Sequence, residues 1–276
     1  MIKIMRNYFI LIILLCLIKS GLIYGQDINI KIGFRDSIKS EILHESRKVL
    51  IHLPDNYNSS NKSYPVMYRL DGDTDLMLET VVIINRLSHF EEVAPDMIVV
   101  FIENTDRARD MLPVKTNYYS GTPGAKNYLN FIENELIPYI DKNYKTTHDR
   151  ILCGKSLSGL FTIYAFLTKP KLFTSYIACS AGFPDCESYF KELSQKAFET
   201  DQYNGQKIFI TNGLKDPNDP EGKINQQIVD FSDSVKVKLG NKVTYRYLTY
   251  ENAGHVPFLS LYDGLKYIFD TNERNK

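Results

Sequence analysis

The segment "DRILCGKSLSGLFTIYAF", Asp149 to Phe166, joins a short apolar run to a longer one with helical spacing. Between the two runs lie small residues and two serines, Ser156 and Ser158. This order predicts a buried β-strand that turns sharply into an α-helix. A serine displayed on such a turn needs small residues two positions before and after it, because the turning backbone leaves no room for larger side chains.

Only Ser156 satisfies this steric requirement. It has Gly154 two positions before it and Ser158 two positions after it, whereas Leu160 stands two positions after Ser158. The pattern departs from G-x-S-x-G in its last position, where Ser158 replaces glycine. We therefore predict that Ser156 is a nucleophile; the alternative is a tight turn that is only rich in small residues.

Strand-like and helical patterns alternate along the rest of the chain. Residues 28–53 alternate apolar and polar with a break near "RDS", which predicts an antiparallel start. Continuous apolar runs such as "YPVMYRL" and "DMIVVFIE" are typical of strands buried on both faces of a parallel sheet. A helix is predicted from Lys126 to Tyr144, with a kink near Pro138. The predicted fold class is α/β, a doubly wound, mostly parallel sheet that is antiparallel at its N-terminal edge.

The N-terminal segment, residues 1–25, is predicted to be a signal peptide. Lys3 and Arg6 precede eleven apolar residues, Tyr8 to Ile18, a run too short to span a membrane but of the right length for a secretory signal. Residues 26–276 would then form a single domain, exported to the periplasm or the medium without a stable membrane anchor. The alternative is that the segment stays attached as an N-terminal anchor.

The charges and cysteines exclude several classes of protein. The whole chain carries 33 basic and 33 acidic residues, and removal of Lys3, Arg6 and Lys19 with the signal leaves 30 against 33. Without a basic cluster, nucleic-acid binding is not expected. No cysteine or histidine spacing fits a metal site, so no structural metal is expected. A serine nucleophile of the kind predicted for Ser156 needs no cofactor. Nothing in the sequence indicates an oligomeric state.

Three cysteines, Cys153, Cys179 and Cys186, remain after the predicted signal. Either Cys179 and Cys186 form a disulfide, or all three are free thiols.

A serine nucleophile requires a base and, in most cases, an acid that orients the base. In the order serine, acid, histidine, the base is predicted to be His255, which lies in a small-residue loop before the last helix. The acid should follow the strand "KIFITNG", where Asp216 is favoured over Asp219 and Glu221 because it lies closest to the strand end. A Ser-His dyad without an orienting acid is the remaining alternative.

These residues resemble the putative-esterase family of α/β-hydrolases, which includes siderophore esterases, feruloyl and acetyl-xylan esterases, S-formylglutathione hydrolases and mycolyltransferases. The resemblance runs from about Lys48 to the final helix and rests on "YPVMYRLDGD", "VVFIENTDRARDMLP", the segment around Ser156 and "NAGHVP". It is greatest for the branch that contains the trilactone-siderophore esterases. The resemblance implies an α/β-hydrolase fold, with Ser156 as nucleophile and His255 as base.

The resemblance also implies an oxyanion hole made by the backbone amide of Gly72 or Asp73 together with that of Leu157. Two features depart from the family: Lys155 precedes the serine where histidine is frequent, and the chain contains no tryptophan. Arg107, in "NTDRARD", is expected at the catalytic edge, where it could contact an anionic or oxygen-rich substrate. The alternative is that Arg107 or Arg109 forms an internal ion pair with Asp110 that shapes the loop.

The sequence therefore predicts an exported serine carboxylic-ester hydrolase that acts on a small, polar, oxygen-rich ester. Arg107 and Lys155 are the expected substrate-binding residues. Alternatives are a carbohydrate-linked acetyl or feruloyl esterase, an acyltransferase that uses the same site, and a catalytically inactive hydrolase fold that serves as a binding module.

Overall fold

The computed structural model describes residues 28, 30–183 and 185–270, so the predicted signal peptide lies outside the described residues. From Ile32 onward the chain forms one compact unit. Among the described residues, none of the helices is long and apolar enough to cross a membrane.

A single twisted sheet forms the centre of this unit. In the described residues it has eight strands in the order β1-β2-β4-β3-β5-β6-β7-β8. β2 is antiparallel to both of its neighbours, and every other neighbouring pair is parallel. The predicted fold class is confirmed. The strands are β1 Phe34–Ser40, β2 Glu45–His52, β3 Tyr64–Arg69, β4 Ile98–Ile102, β5 Thr146–Lys155, β6 Ser175–Cys179, β7 Gln206–Gly213 and β8 Val243–Tyr250.

Helices cover both faces of the sheet, because the central strands present apolar side chains in both directions. α1 and α8 pack on one face, and α3 to α7 pack on the other. The helices are α1 Thr74–Asn85, α2 Arg107–Met111, α3 Ala125–Phe131, α4 Ile137–Asn143, α5 Leu157–Thr168, α6 Glu187–Phe198, α7 Lys223–Leu239 and α8 Ser260–Phe269.

Two local predictions differ from the structure. The break expected near "RDS" lies inside β1, and the chain turns instead between β1 and β2, over residues 41–44. Polar residues are tolerated in β1 because it is an edge strand, and Arg35 forms an ion pair with Glu103 there. The helix predicted around Pro138 is interrupted not by a simple kink but by a π-helical turn, Ile132–Leu136, between α3 and α4.

A buried ion cluster fixes the segment that follows β4. The fully buried guanidinium of Arg47, on β2, lies 2.7 Å from the Asp110 carboxylate on α2 and 5.2 Å from the centre of the Tyr128 ring on α3. Arg109 contacts the same carboxylate at 2.8 Å. A buried carboxylate is stable only when its charge is compensated, so this cluster holds α2 against the sheet.

The three described cysteines are free thiols, and all of them are buried. Cys153 and Cys179 lie on the adjacent strands β5 and β6, and Cys186 precedes α6. The possible Cys179–Cys186 disulfide is therefore not formed.

Candidate active site

The connection between β5 and α5 is a sharp turn at Ser156. Its backbone has φ 56° and ψ −123°, a conformation that is unfavourable for a residue with a side chain. The Ser156 amide donates to the Cys179 carbonyl at 2.8 Å, which ties the turn to β6. A Cβ atom at Gly154 would lie 2.1 Å from the Ser158 carbonyl oxygen, so only glycine fits there. Glycine at position 154 is thus a steric requirement of this turn.

The two serines have different surroundings. Ser156 is half-buried and lines a cavity, whereas Ser158 is fully buried. The Ser158 hydroxyl accepts from the Lys155 amide at 2.8 Å and lies 2.7 Å from Oδ2 of Asp71, to which it donates. Ser158 therefore connects the turn to the loop after β3 and is inaccessible to a substrate.

Asp71 joins three segments near this turn. Besides Ser158, it accepts from Nδ2 of Asn104 at 2.7 Å and from Nε and Nη2 of Arg107 at 2.6 and 2.8 Å. Burial acts to raise the pKa of the Asp71 carboxyl, but the hydrogen bonds and the positive charge of Arg107, with Asn104 and Ser158, hold it below its ordinary value. Asp71 is thus an ionised carboxylate that connects β3, α2 and the Ser156 turn.

Arg107 combines features of both predicted alternatives. It forms an internal ion pair, but its partner is Asp71, while Arg109 is the arginine that contacts Asp110. The Arg107 side chain remains about one-third exposed, at 36%, and lines an open hollow with Lys155. Two nitrogens of Arg107 already donate to Asp71. Of the two predicted substrate-binding cations, Lys155 is therefore the one with more capacity to bind a substrate.

His255 lies against one of the three acids proposed for it. Its Nδ1 is 2.5 Å from Oδ2 of Asp216, which is buried, and the other oxygen of Asp216 accepts from the Asn218 amide at 2.8 Å. The loops meet because the β7 end and the histidine loop are in backbone contact: a Cβ at Gly213 would lie 2.0 Å from the Gly254 carbonyl oxygen. The Val256 amide also donates to Ser180 at 3.1 Å.

The other two acids have different partners. The Asp219 carboxylate accepts from the Ile224 and Asn225 amides, at 2.9 and 2.7 Å, and so stabilises the start of α7. Glu221 forms an exposed ion pair with Lys223. Of the three candidates, Asp216 has the geometry required to orient His255.

The candidate oxyanion amides are not equivalent. Leu157 is the first residue of α5, where an amide has no acceptor within the helix. Asp73 is the N-cap of α1. The Gly72 amide, in contrast, donates to the Ile102 carbonyl at 2.8 Å, so it is not available to a substrate in this conformation. Asp73 is therefore the better candidate from the loop after β3.

Residues of the β5–α5 turn line two hollows. A cavity of about 110 Å³ is lined by Ser156, Leu157 and His255, together with Tyr118, Tyr119, Ser180, Gly182, Asn218 and Ile224. A more open hollow of about 520 Å³ is lined by Lys155, Gly72 and Asp73, together with Arg35, Asp71, Thr74, Glu103, Asn104 and Arg107. The first brings Ser156 and His255 together, and the second is strongly polar.

Residues 30–183 and 185–270 contain no group of three or more histidine, cysteine or acidic side chains that could hold a metal ion.

Sequence reasoning missed Asp71 and Tyr119. Asp71 has the composition of an ordinary turn residue in "LDGD", and only its contacts reveal its role. Tyr119 lies in "YYSGTPG", and its position in a glycine-rich loop between helices is the signal that could have identified it.

Comparison with known proteins adds to this geometry. A family model described as "Putative esterase" matches residues 40–258. The chain belongs to this family. The sequence is 34% identical over 136 residues to the ferri-bacillibactin esterase BesA of Bacillus subtilis. The aligned region covers 42% of this chain and 47% of BesA. It is 28% identical over 144 residues to the siderophore enterobactin esterase of Emericella nidulans. That alignment covers 45% of this chain and 48% of the relative.

The matched region spans about half the length of these curated relatives of the putative esterase family. Among solved structures, the chain is similar to an IroE-like serine hydrolase from Shewanella oneidensis, with a TM-score of 0.79 and 27% identity. That comparison covers 86% of this chain and 80% of the other. The predicted family resemblance is confirmed.

The Asp71 contacts predict a pH-dependent loss of stability. Asp71→Asn should lower the free energy of unfolding at neutral pH by about 1 to 3 kcal/mol, because a neutral amide cannot accept both Arg107 hydrogen bonds. The folded-state pKa of Asp71 is depressed, so its contribution is present above the ordinary carboxyl pKa and is lost as the pH falls through the folded value. Urea unfolding of both proteins should therefore differ at pH 7, and the difference should disappear only when the pH has fallen well below the ordinary carboxyl pKa of about 3.9.

The matched control is Asp201→Asn, which changes a fully exposed carboxylate and should leave the unfolding curve at pH 7 unchanged. An Asp71→Asn protein as stable as wild type at pH 7 would show that the carboxylate does not hold these segments together.

Proposed function

We propose that this member of the putative esterase family is a serine carboxylic-ester hydrolase that works through an acyl-enzyme. The observation that carries the proposal is the 2.5 Å contact between His255 and Asp216 beside a cavity that His255 shares with Ser156. A histidine held by a buried carboxylate next to an accessible serine has the parts needed to activate that serine.

In the proposed mechanism, Ser156 attacks the ester carbonyl and His255 removes its proton. The Nδ1 proton of His255 is assigned to the bond with Asp216, which leaves the Nε2 lone pair to accept the proton from Ser156. His255 then gives this proton to the leaving alcohol, and an acyl group remains on Ser156. Water, activated in the same way, releases the acid and restores the serine.

The negative charge that develops on the carbonyl oxygen requires donors that are already in place. The Leu157 amide at the start of α5 is the first, because the amides of a helix N-terminus favour an anion. The Asp73 amide, at the edge of the neighbouring hollow, is proposed as the second.

The substrate is proposed to be a polar, oxygen-rich ester of the siderophore type. The open hollow beside Ser156 is lined by Lys155 and by the charged groups around Asp71 and Arg107, which favour a polar substrate over a lipid. Two relatives, the ferri-bacillibactin esterase BesA and the siderophore enterobactin esterase, support the same class of ester. We also propose that the enzyme is exported, on the strength of the signal sequence predicted for residues 1–25.

The first prediction from the proposed mechanism concerns the nucleophile. Ser156→Ala should lower kcat/KM for p-nitrophenyl acetate by a factor on the order of 10³ or more, because no other hydroxyl replaces the attacking group. Ser158→Ala should keep most of the activity but lower the free energy of unfolding by about 1 to 3 kcal/mol, since the buried Lys155 amide loses its acceptor. Steady-state kinetics and urea unfolding measure the two effects. Full activity in Ser156→Ala would refute the mechanism.

The second prediction concerns the acid. Asp216→Asn should lower kcat by a factor on the order of 10³ to 10⁴, because the amide no longer stabilises the correct tautomer and the charge of His255. Asp219→Asn is the matched control: it weakens the start of α7 and should change stability more than kcat. Small, equal effects of both substitutions on kcat would instead indicate a Ser-His dyad.

The third prediction concerns the substrate. A cavity of about 110 Å³ at Ser156 holds only a short acyl group, so kcat/KM should fall from p-nitrophenyl acetate to butyrate to laurate. Lys155→Gln should raise KM for a catecholate ester about two- to fivefold and leave KM for the neutral acetate unchanged. The exposed Lys171→Gln serves as control. Preference for laurate, or for acetylated or feruloylated sugars over catecholate lactones, would contradict the proposed substrate class.

A further inference from the structure

Tyr119 lies at the wall of the cavity that contains Ser156, Leu157 and His255. It belongs to the segment between α2 and α3, and its side chain is half-buried. The segment is fixed locally: the Tyr119 amide donates to the buried Thr116 hydroxyl at 3.0 Å, and the Gly124 amide donates to the Arg109 carbonyl at 2.8 Å. The buried contact of Asp110 with Arg47 holds the start of the same segment. Tyr119 is therefore a positioned residue of the cavity.

The Tyr119 side chain shares this cavity with Ser156 and lies close enough to Ser156 and to the Arg107 charge for both to lower its pKa. Burial raises the pKa of Tyr119 and the neighbouring Tyr118 adds to this, which together outweigh the opposing influence of Arg107 and Ser156. The group therefore remains a neutral phenol at pH 7, with a proton that it can donate in a hydrogen bond.

The loop after β3 offers the Asp73 amide as its candidate oxyanion donor, because the amide of Gly72 is already engaged. The Gly72 amide is bound to the Ile102 carbonyl, and a Cβ at Gly72 would lie 2.7 to 2.9 Å from the backbone of Phe101 and Ile102. Such close backbone packing opposes a shift that would release this amide. The amides of Leu157 and Asp73 therefore leave room for a third donor. Of the other hydroxyl side chains that line the cavity, Ser180 already accepts from the Val256 amide and Tyr118 is exposed, whereas Tyr119 is half-buried at the cavity wall.

We propose that Tyr119 is a catalytic hydrogen-bond donor, whose hydroxyl binds the oxyanion formed when Ser156 attacks the ester carbonyl. This inference rests on the proposed ester hydrolase function. No proton is transferred from Tyr119: its O–H bond stays intact, the serine proton goes to His255, and the new C–O bond places the negative charge on the former carbonyl oxygen. When the intermediate collapses, the carbonyl re-forms and its hydrogen bond to the Tyr119 hydroxyl weakens.

Tyr119→Phe tests this role, because it removes the hydroxyl and keeps the ring. The variant should lower kcat on the order of 10²-fold with little change in KM, since the lost bond is made in the transition state. The loss should be similar for p-nitrophenyl acetate and for an alkyl acetate, because both pass through the same oxyanion. A loss confined to the alkyl ester would identify a donor to the leaving alcohol and overturn the proposal.

Phenylboronic acid provides a second measurement that a structural role would not affect. The Ser156 oxygen bonds to boron, its proton passes to His255, and the resulting tetrahedral boronate carries the negative charge. The inhibition constant of phenylboronic acid should be higher for Tyr119→Phe than for the wild-type protein, in proportion to the loss of kcat/KM. An unchanged inhibition constant would overturn the proposal.

Tyr262→Phe is the matched control. It removes a tyrosine hydroxyl that lies 2.7 Å from the Glu91 carboxylate, on α8 and away from the cavity, and should leave kcat and the boronate affinity unchanged. Ser156→Ala distinguishes a failure of the proposed ester hydrolase function from a failure of the proposed role of Tyr119. If the wild-type protein has no hydrolysis that depends on Ser156, the proposed function fails; if that hydrolysis exists and Tyr119→Phe retains it fully, only the role of Tyr119 fails.

Discussion

The close approach of β5 to α5 is the constraint on which the site depends. The chain reverses within a few residues, so the Gly154 Cα faces the Ser158 carbonyl and Ser156 is held at a positive φ. Such backbone strain persists only where the surroundings enforce it. Here the amide of Ser156 is bound to β6, and the α5 helix is buried along nearly its whole length against the sheet. Packing of the sheet thus holds one serine at the surface of the cavity.

A second set of contacts fixes the neighbouring loops relative to this turn. Asp71 reaches the turn through Ser158 and the segment after β4 through Asn104 and Arg107. The Arg47 cluster then holds that segment to β2. The two ion clusters together position loops that the sheet alone would leave free, among them the one that carries Tyr119. Buried charges that are paired with one another can fix side-chain positions in this way.

Features that depend on neighbouring residues could be predicted from the sequence, whereas features that depend on contacts between distant residues could not. The β5–α5 turn and the His255 loop could be predicted because small residues and strand ends are local properties of the chain. The glycine-rich loop was the only local signal for Tyr119. Its placement at the cavity depends on the contact of Asp110 with Arg47, a residue far away in the sequence. The turn after β1 was misplaced because a charged edge strand has the composition of a loop. The state of the Gly72 amide depends on a partner, Ile102, that only the fold brings near.

The three buried thiols provide internal reporters of motion. Cys153 and Cys179 lie on the central strands beneath the Ser156 turn, whereas Cys186 lies at the start of α6. A thiol reagent can react with them only when the surrounding structure opens, so the rate of labelling at each cysteine measures how often that region is exposed. Cys186 would report on local opening beside the cavity, and the strand cysteines on opening of the sheet itself. The chain thus contains its own means of separating loop motion from global unfolding.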